Sequence, residues 1–222
     1  MLLEQERTEV AETAKRLLDT GLVVNTSGNV SVRVDQRVAI TPSGCAYETL
    51  TAKDVLVVDL AGEIVDGDLL PSSETPLHLS VYEAKPEARA IVHTHSVYAT
   101  AVSTLLDELP AIHYQITTLG GPVPVAPYRT FGTPELAEVV TTAMRGRSAM
   151  LMRNHGATTI GATAEEALAR TITLEWLARV YLIANQAGDP SIIDDDELNR
   201  VAEQMKKFSR EQRLKREARA RG

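Results

Sequence analysis

The chain is short of residues that several protein classes require. It has one cysteine, Cys45, in 222 residues. No intrachain disulfide can form, and a reducing compartment fits that usage. No apolar run approaches the roughly 20 residues needed to cross a bilayer. Basic residues are outnumbered, 23 Lys and Arg against 30 Asp and Glu, for a formal net charge of −7. That balance argues against a general nucleic-acid binder, which carries a basic face. The N-terminal Met1-Leu2-Leu3-Glu4-Gln5-Glu6-Arg7 lacks the basic start and apolar core of a signal peptide. Internal repeats, a Walker phosphate loop, a GxGxxG turn and a Ser/His/Asp arrangement are also missing. The expectation is a soluble, cytoplasmic protein with no membrane or nucleic-acid partner.

What is present is enough for one globular domain. Hydrophobic residues make up 44% of the chain, which can bury a substantial core. The domain is expected over residues 1–205. Residues 206–222 carry Lys206, Lys207, Arg210, Arg213, Lys215, Arg216, Arg219 and Arg221 against Glu211 and Glu217. They are expected to form a flexible basic tail.

Helical and strand periods alternate along the chain. Glu4 to Thr20 has apolar residues at helical spacing, and Gly21 supplies the stop. Short strands are expected at Val30–Arg33, Arg37–Ile40, within Asp54–Asp59 and at Val123–Pro127. Thr133-Pro134-Glu135 and Thr163-Ala164-Glu165-Glu166 are helix starts. The second opens a long helix to about Ala187, with Trp176 expected in the core. Asp194-Asp195-Asp196-Glu197 opens the last helix, where acids belong, although a metal-binding reading of that run is also open. Several hairpin-like strand pairs point to one α/β domain, with a mostly antiparallel central sheet and helices on both faces, a three-layer α/β/α arrangement.

The chemistry gathers at Ala90-Ile91-Val92-His93-Thr94-His95. A buried strand puts His93 and His95 on one face, about 6–7 Å apart, close enough to chelate one ion. Two buried histidines satisfied by hydrogen bonds are the alternative. A second apolar strand, within Ser148-Ala149-Met150-Leu151-Met152-Arg153-Asn154-His155-Gly156, delivers His155 at its end. Three imidazoles with an open position match a catalytic rather than a structural zinc arrangement. The stretch Pro71-Ser72-Ser73-Glu74-Thr75-Pro76 reads as a helix start, with Ser72 or Ser73 as the cap and free N–H groups suited to an anion. Glu74 there is either a helix-start acid favoured by the dipole or a ligand and general base. His78, one turn on, reads as a packed structural histidine. The turns around Ser27-Gly28-Asn29 and Thr41-Pro42-Ser43-Gly44 place hydroxyls, amides and glycines at strand ends. Each is either an ordinary turn or a backbone cradle for an anion.

Taken together, Ser27-Gly28-Asn29-Val30-Ser31, Ile40-Thr41-Pro42-Ser43-Gly44, Pro71-Ser72-Ser73-Glu74, His93-Thr94-His95, Ala111-Ile112-His113-Tyr114 and Asn154-His155-Gly156 resemble the class II aldolase/adducin family. Within it, the resemblance is to the group of L-fuculose-1-phosphate aldolases, and it runs to about Ser209. The resemblance implies Zn²⁺ held by His93, His95 and His155, with Glu74 as a resting ligand that swings away to act as base. It implies a substrate phosphate cradle of Gly28, Asn29, Ser43, Gly44, Ser72 and Ser73. It also implies a homotetramer with active sites between subunits, Tyr114 reaching into the neighbouring site as proton donor. Mn²⁺, Co²⁺ or Fe²⁺ would also suit such a ligand set. The implied reaction is reversible cleavage of a ketose 1-phosphate to dihydroxyacetone phosphate and an aldehyde such as L-lactaldehyde.

One departure stands out. Those aldolases carry a second tyrosine near the C-terminus, where this chain reads Lys206-Lys207-Phe208-Ser209-Arg210. The rival activities are L-ribulose-5-phosphate 4-epimerase, whose pattern has aspartate in place of Glu74, methylthioribulose-phosphate dehydratase, and hydroxy-acid decarboxylation. The non-enzymatic rival is an adducin-like scaffold, which is expected to lose metal ligands.

Overall fold

A computed structural model describes residues 1–220. Nine strands form one sheet: β1 (Asn29–Val34), β2 (Arg37–Ile40), β3 (Leu56–Asp59), β4 (Ile64–Asp66), β5 (Ala90–Thr94), β6 (Glu108–Leu109), β7 (Val123–Ala126), β8 (Ala149–Met152) and β9 (Gly156–Gly161). Their order across the sheet is β4-β3-β2-β1-β5-β9-β8-β7-β6. The β7–β8 pair is parallel and every other pair antiparallel, so the mostly antiparallel expectation holds.

Side-chain alternation along the strands sorts the core onto two faces. Val30, Val32, Ala90 and Val92 pack with Val10, Ala14 and Leu17 of α1 (Glu4–Asp19) and with Ala167 and Leu168 of α5 (Ala164–Ala187). The intervening Ile91 points the other way, onto Leu77, Val81 and Tyr82 of α2 (Thr75–Ala84) and Leu136 and Val140 of α4 (Pro134–Ala143). In β8, Met150 and Met152 join that second face, while Ala149 and Leu151 meet α3 (Val97–Leu105) and α5. Helices therefore cover both faces, and β5 is buried along its whole length. Among the described residues no helix is long and apolar enough to cross a membrane.

The helix starts follow the sequence closely. Thr133 Oγ1 accepts from Leu136 N at 3.3 Å, and Thr163 Oγ1 accepts from Glu166 N at 3.1 Å. Asp194 Oδ1 accepts from Glu197 N at 2.8 Å and so caps α6 (Asp195–Ala220), which accounts for the acidic run without a metal.

The basic stretch from Lys206 is helical: α6 runs through it to Ala220. Its charges alternate with good helix formers, so nothing in the run stops a helix that has already started. Residues 221–222 lie outside the described residues. Trp176 is 41% exposed and stands edge-on to His113, with ring centroids 4.8 Å apart, rather than in the core. Finally, α2 starts later than Ser72. Glu74 is its cap residue without a side-chain cap bond, and Ser72 Oγ instead accepts from Glu74 N at 3.2 Å.

Candidate metal centre

Four chain segments meet at one end of the central strands. β5 carries His93 on the α2 face, with His95 one residue past its end. The tight β8–β9 turn presents His155, with Asn154 in the left-handed region at φ 55°. Gly156 follows because a Cβ there would overlap the Thr94 carbonyl. Glu74 enters from the start of α2, and Asn29 sits opposite His93 in the β1–β5 ladder. Gly28, at φ +85°, brings the chain over β5; a Cβ there would come within 2.9 Å of the His93 carbonyl oxygen.

The imidazoles form a near-equilateral triangle, with ring centroids 4.8, 5.0 and 4.9 Å apart. Glu74 Oε2 lies 2.9 Å from His93 Nε2, and Glu74 Oε1 lies 3.0 Å from His155 Nε2. One ligand atom from each of Glu74, His93, His95 and His155 falls within 4.8 Å of every other. His93 Nδ1 donates to the Ala157 carbonyl at 2.9 Å, which fixes the tautomer and leaves Nε2 as the lone-pair nitrogen. His93 Nε2 and His95 Nε2 are both buried without a hydrogen-bond partner. Buried imidazole nitrogens are ordinarily paired, so two orphans aimed at one point beside a carboxylate fit a divalent cation. Three neutral imidazoles and one carboxylate suit zinc and other borderline divalent ions.

The electrostatics agree with that donor set. Burial pushes the Glu74 carboxyl up, but the His93 and His155 imidazoles beside it outweigh burial and hold it far below the usual carboxylate range. Burial and the neighbouring His93 and His155 imidazoles push His95 down to about 4, against a smaller pull from Glu74. His95 is thus neutral near pH 7, the form that binds a metal.

A cavity of about 310 Å³ opens beside the cluster. Its wall includes Gly28, Asn29, Ser43, Gly44, Ser72, Ser73, Glu74, His95 and His155, which brings the expected cradle residues to the same space as the Glu74–histidine cluster. His93 lies behind them, fully buried. The Asn29 side chain is turned toward Glu74, donating from Nδ2 to Oε2 at 3.2 Å. Tyr114 does not line this cavity. It is 46% exposed, at the start of a short 3-10 helix (Tyr114–Leu119), stacked on His113. Sequence reasoning missed Tyr128, Arg129 and Phe131, which form the outer wall. Their one signal was composition, two aromatics and a cation in a loop too polar for a core. A larger groove of about 900 Å³, along the 3-10 helix, α5 and α6, contains none of the four cluster residues.

With this geometry in view, the comparisons with known proteins are direct. The family model for the class II aldolase and adducin N-terminal domain matches residues 8–182. The chain belongs to that family. A 5-deoxy-D-ribulose 1-phosphate aldolase of Bacillus thuringiensis serovar kurstaki is 36% identical over 213 residues, covering 95% of this chain and 100% of its own. The L-fuculose phosphate aldolase of Escherichia coli K12 is 40% identical over 202 residues, covering 90% of this chain and 94% of its own. A solved L-fuculose 1-phosphate aldolase superposes with a TM-score of 0.88 at 38% identity, covering 91% of this chain and 96% of that one. The chain is a class II aldolase, a lyase, and Glu74, His93, His95 and His155 form a group able to hold a metal ion.

Proposed function

We propose that the protein cleaves a ketose 1-phosphate of the L-fuculose 1-phosphate type to dihydroxyacetone phosphate and a short aldehyde, L-lactaldehyde in that case. The observation that carries the reading is the Glu74 carboxylate lying against two imidazoles at the floor of a cavity walled by backbone turns and serine hydroxyls. His93, His95, His155 and Glu74 would hold zinc, which when bound acts as a Lewis acid that polarises an adjacent carbonyl. Gly28, Asn29, Ser43, Gly44, Ser72 and Ser73 hold the substrate phosphate. The start of α2 adds its own partial positive charge there. In the condensation direction Glu74 takes the carbon-bound proton from dihydroxyacetone phosphate, and Tyr114 of a neighbouring subunit donates a proton to the aldehyde oxygen. Cleavage runs the same steps backwards.

The Tyr114 role requires an assembly, which we propose is a homotetramer with sites between subunits. Exposed apolar side chains on α5, Ile172 and Ile183, support an interface beside Trp176. The single cysteine supports a cytoplasmic location.

A second substrate has a specific observation behind it. The Bacillus relative, matched over its full length, is named for 5-deoxy-D-ribulose 1-phosphate. That sugar shares the dihydroxyacetone phosphate half and leaves acetaldehyde. The missing tyrosine of the Lys206-Lys207-Phe208-Ser209-Arg210 region, where fuculose-phosphate aldolases carry one, bears on this aldehyde half alone. The test is a coupled assay of dihydroxyacetone phosphate release from both sugars and from pentulose 5-phosphates, with and without chelator. Chelator-sensitive release from fuculose 1-phosphate above the others is expected. Release from none by zinc-loaded protein overturns the aldolase reading.

A further inference from the structure

Behind the cavity, Glu74 and Asn29 connect to buried polar groups that the chemistry above does not use, His78, Ser31 and Tyr82. Glu74, His78 and Tyr82 recur every four residues along α2 and so share one face. Asn29 and Ser31 alternate on β1 and face the same way. The two rows interleave. Glu74 Oε2 meets Asn29 Nδ2 at 3.2 Å, and Asn29 Oδ1 meets His78 Nε2. His78 Nδ1 meets Ser31 Oγ at 2.6 Å, and Ser31 Oγ meets Tyr82 Oη at 2.8 Å. All five residues are buried, and His78, Ser31 and Tyr82 are 0% exposed.

The direction of every bond follows from the first. An ionised Glu74 carboxylate only accepts, so the Asn29 amide must present N–H to it. Its carbonyl oxygen is then left for His78, which must donate from Nε2. Burial, with His93 nearby, pushes the His78 pKa down to about 3, so the ring is neutral and its Nδ1 accepts from the Ser31 hydroxyl. Ser31 Oγ in turn accepts from Tyr82. A packed histidine with no wider role has no need of this polarity.

We propose that His78 is a positioning residue for the metal centre: acting through the Asn29 amide, it fixes the orientation of the Glu74 carboxylate that faces His93 and His155. The catalytic part of this inference rests on the aldolase reading; the part concerning metal affinity does not. The His78 ring bonds to none of the four cluster side chains and reaches the Glu74 carboxylate through the Asn29 amide.

Two substitutions separate positioning from mere packing. A glutamine at 78 can place an N–H where Nε2 stands, toward Asn29. An asparagine reaches only the Nδ1 position, toward Ser31. Zinc affinity of the metal-stripped protein, measured by competition with a chromophoric chelator, should fall about 10–100-fold in His78→Asn, as for other lost outer-shell partners. In His78→Gln it should stay close to the parent. Solvent exchange of the dihydroxyacetone phosphate C–H, catalysed by the zinc-loaded variants, should follow the same order. A folded His78→Asn that binds zinc like the parent overturns the proposal, as does equal loss in the two variants. If His78→Asn does not fold, Ser31→Ala removes the hydroxyl that sets the tautomer. Weakened zinc binding in that variant supports the proposal, and unchanged binding overturns it. A parent protein that exchanges no proton and cleaves no sugar strikes at the aldolase reading and leaves the zinc comparison intact.

Discussion

Glu74 keeps its charge in a place where burial alone would remove it. The two imidazoles that permit this are also the groups that a metal would engage, so the carboxylate is poised between ligand and base. Replacing it with glutamine keeps the shape and removes the basicity. Glu74→Gln should lower dihydroxyacetone phosphate release by about 10²–10⁴-fold while three histidines still hold metal, as measured by the coupled assay alongside metal analysis. The same residues set an acid limit on folding. His78 protonates at about 3 in the folded chain and near its ordinary value of about 6.5 when unfolded. As pH falls below 6.5, the unfolded chain binds a proton that the fold refuses, so stability drops through that window down to about 3. Glu74 acts in the same sense, because its folded carboxyl resists protonation after the unfolded one has accepted it. The melting temperature of chelator-treated protein should therefore fall steadily from pH 7 to pH 4. His78→Gln, which removes one of these groups, should show a shallower fall.

At the scale of single elements, the start of α5 is built from a reciprocal pair. Thr163 accepts from Glu166 N, and Glu166 Oε2 accepts from Ala162 N at 2.7 Å. Thr163→Ala should cost about 1 kcal/mol, read as a lower urea midpoint with an unchanged slope. Such starts were legible because capping is local: the threonine and its glutamate are three residues apart in the chain. The strand bearing His93 and His95 was legible for a similar reason, since period two places both on one face. Other features depend on distant partners. β6 is two residues long and exists only through its pairing with β7. Tyr128, Arg129 and Phe131 line the cavity from the loop between β7 and α4, a placement that local sequence does not set. His78 was readable as buried, but its tie to Glu74 runs through Asn29, 49 residues away in the chain. The extension of α6 through its basic end was hidden because a run of charge looks alike in a frayed tail and on a solvated helix face.

For the whole molecule, the position of Tyr114 is the point on which the proposed assembly can be tested. The chain's own cavity is lined without it, and the ring stands exposed outside that lining. If sites form between subunits, two inactive variants should repair each other. Mixing Tyr114→Phe with His155→Ala protein under conditions that exchange subunits should restore release well above either alone. No recovery, with mixed oligomers demonstrated by mass, would place each site within one chain. Whatever assembly forms, the ends of the sheet constrain it. The outermost strands, β4 and β6, span three and two residues. Such stubs present too few free backbone groups to template a further strand. Copies of this chain must therefore meet through side chains on helices and loops, and the sheet stops at nine strands however concentrated the protein becomes.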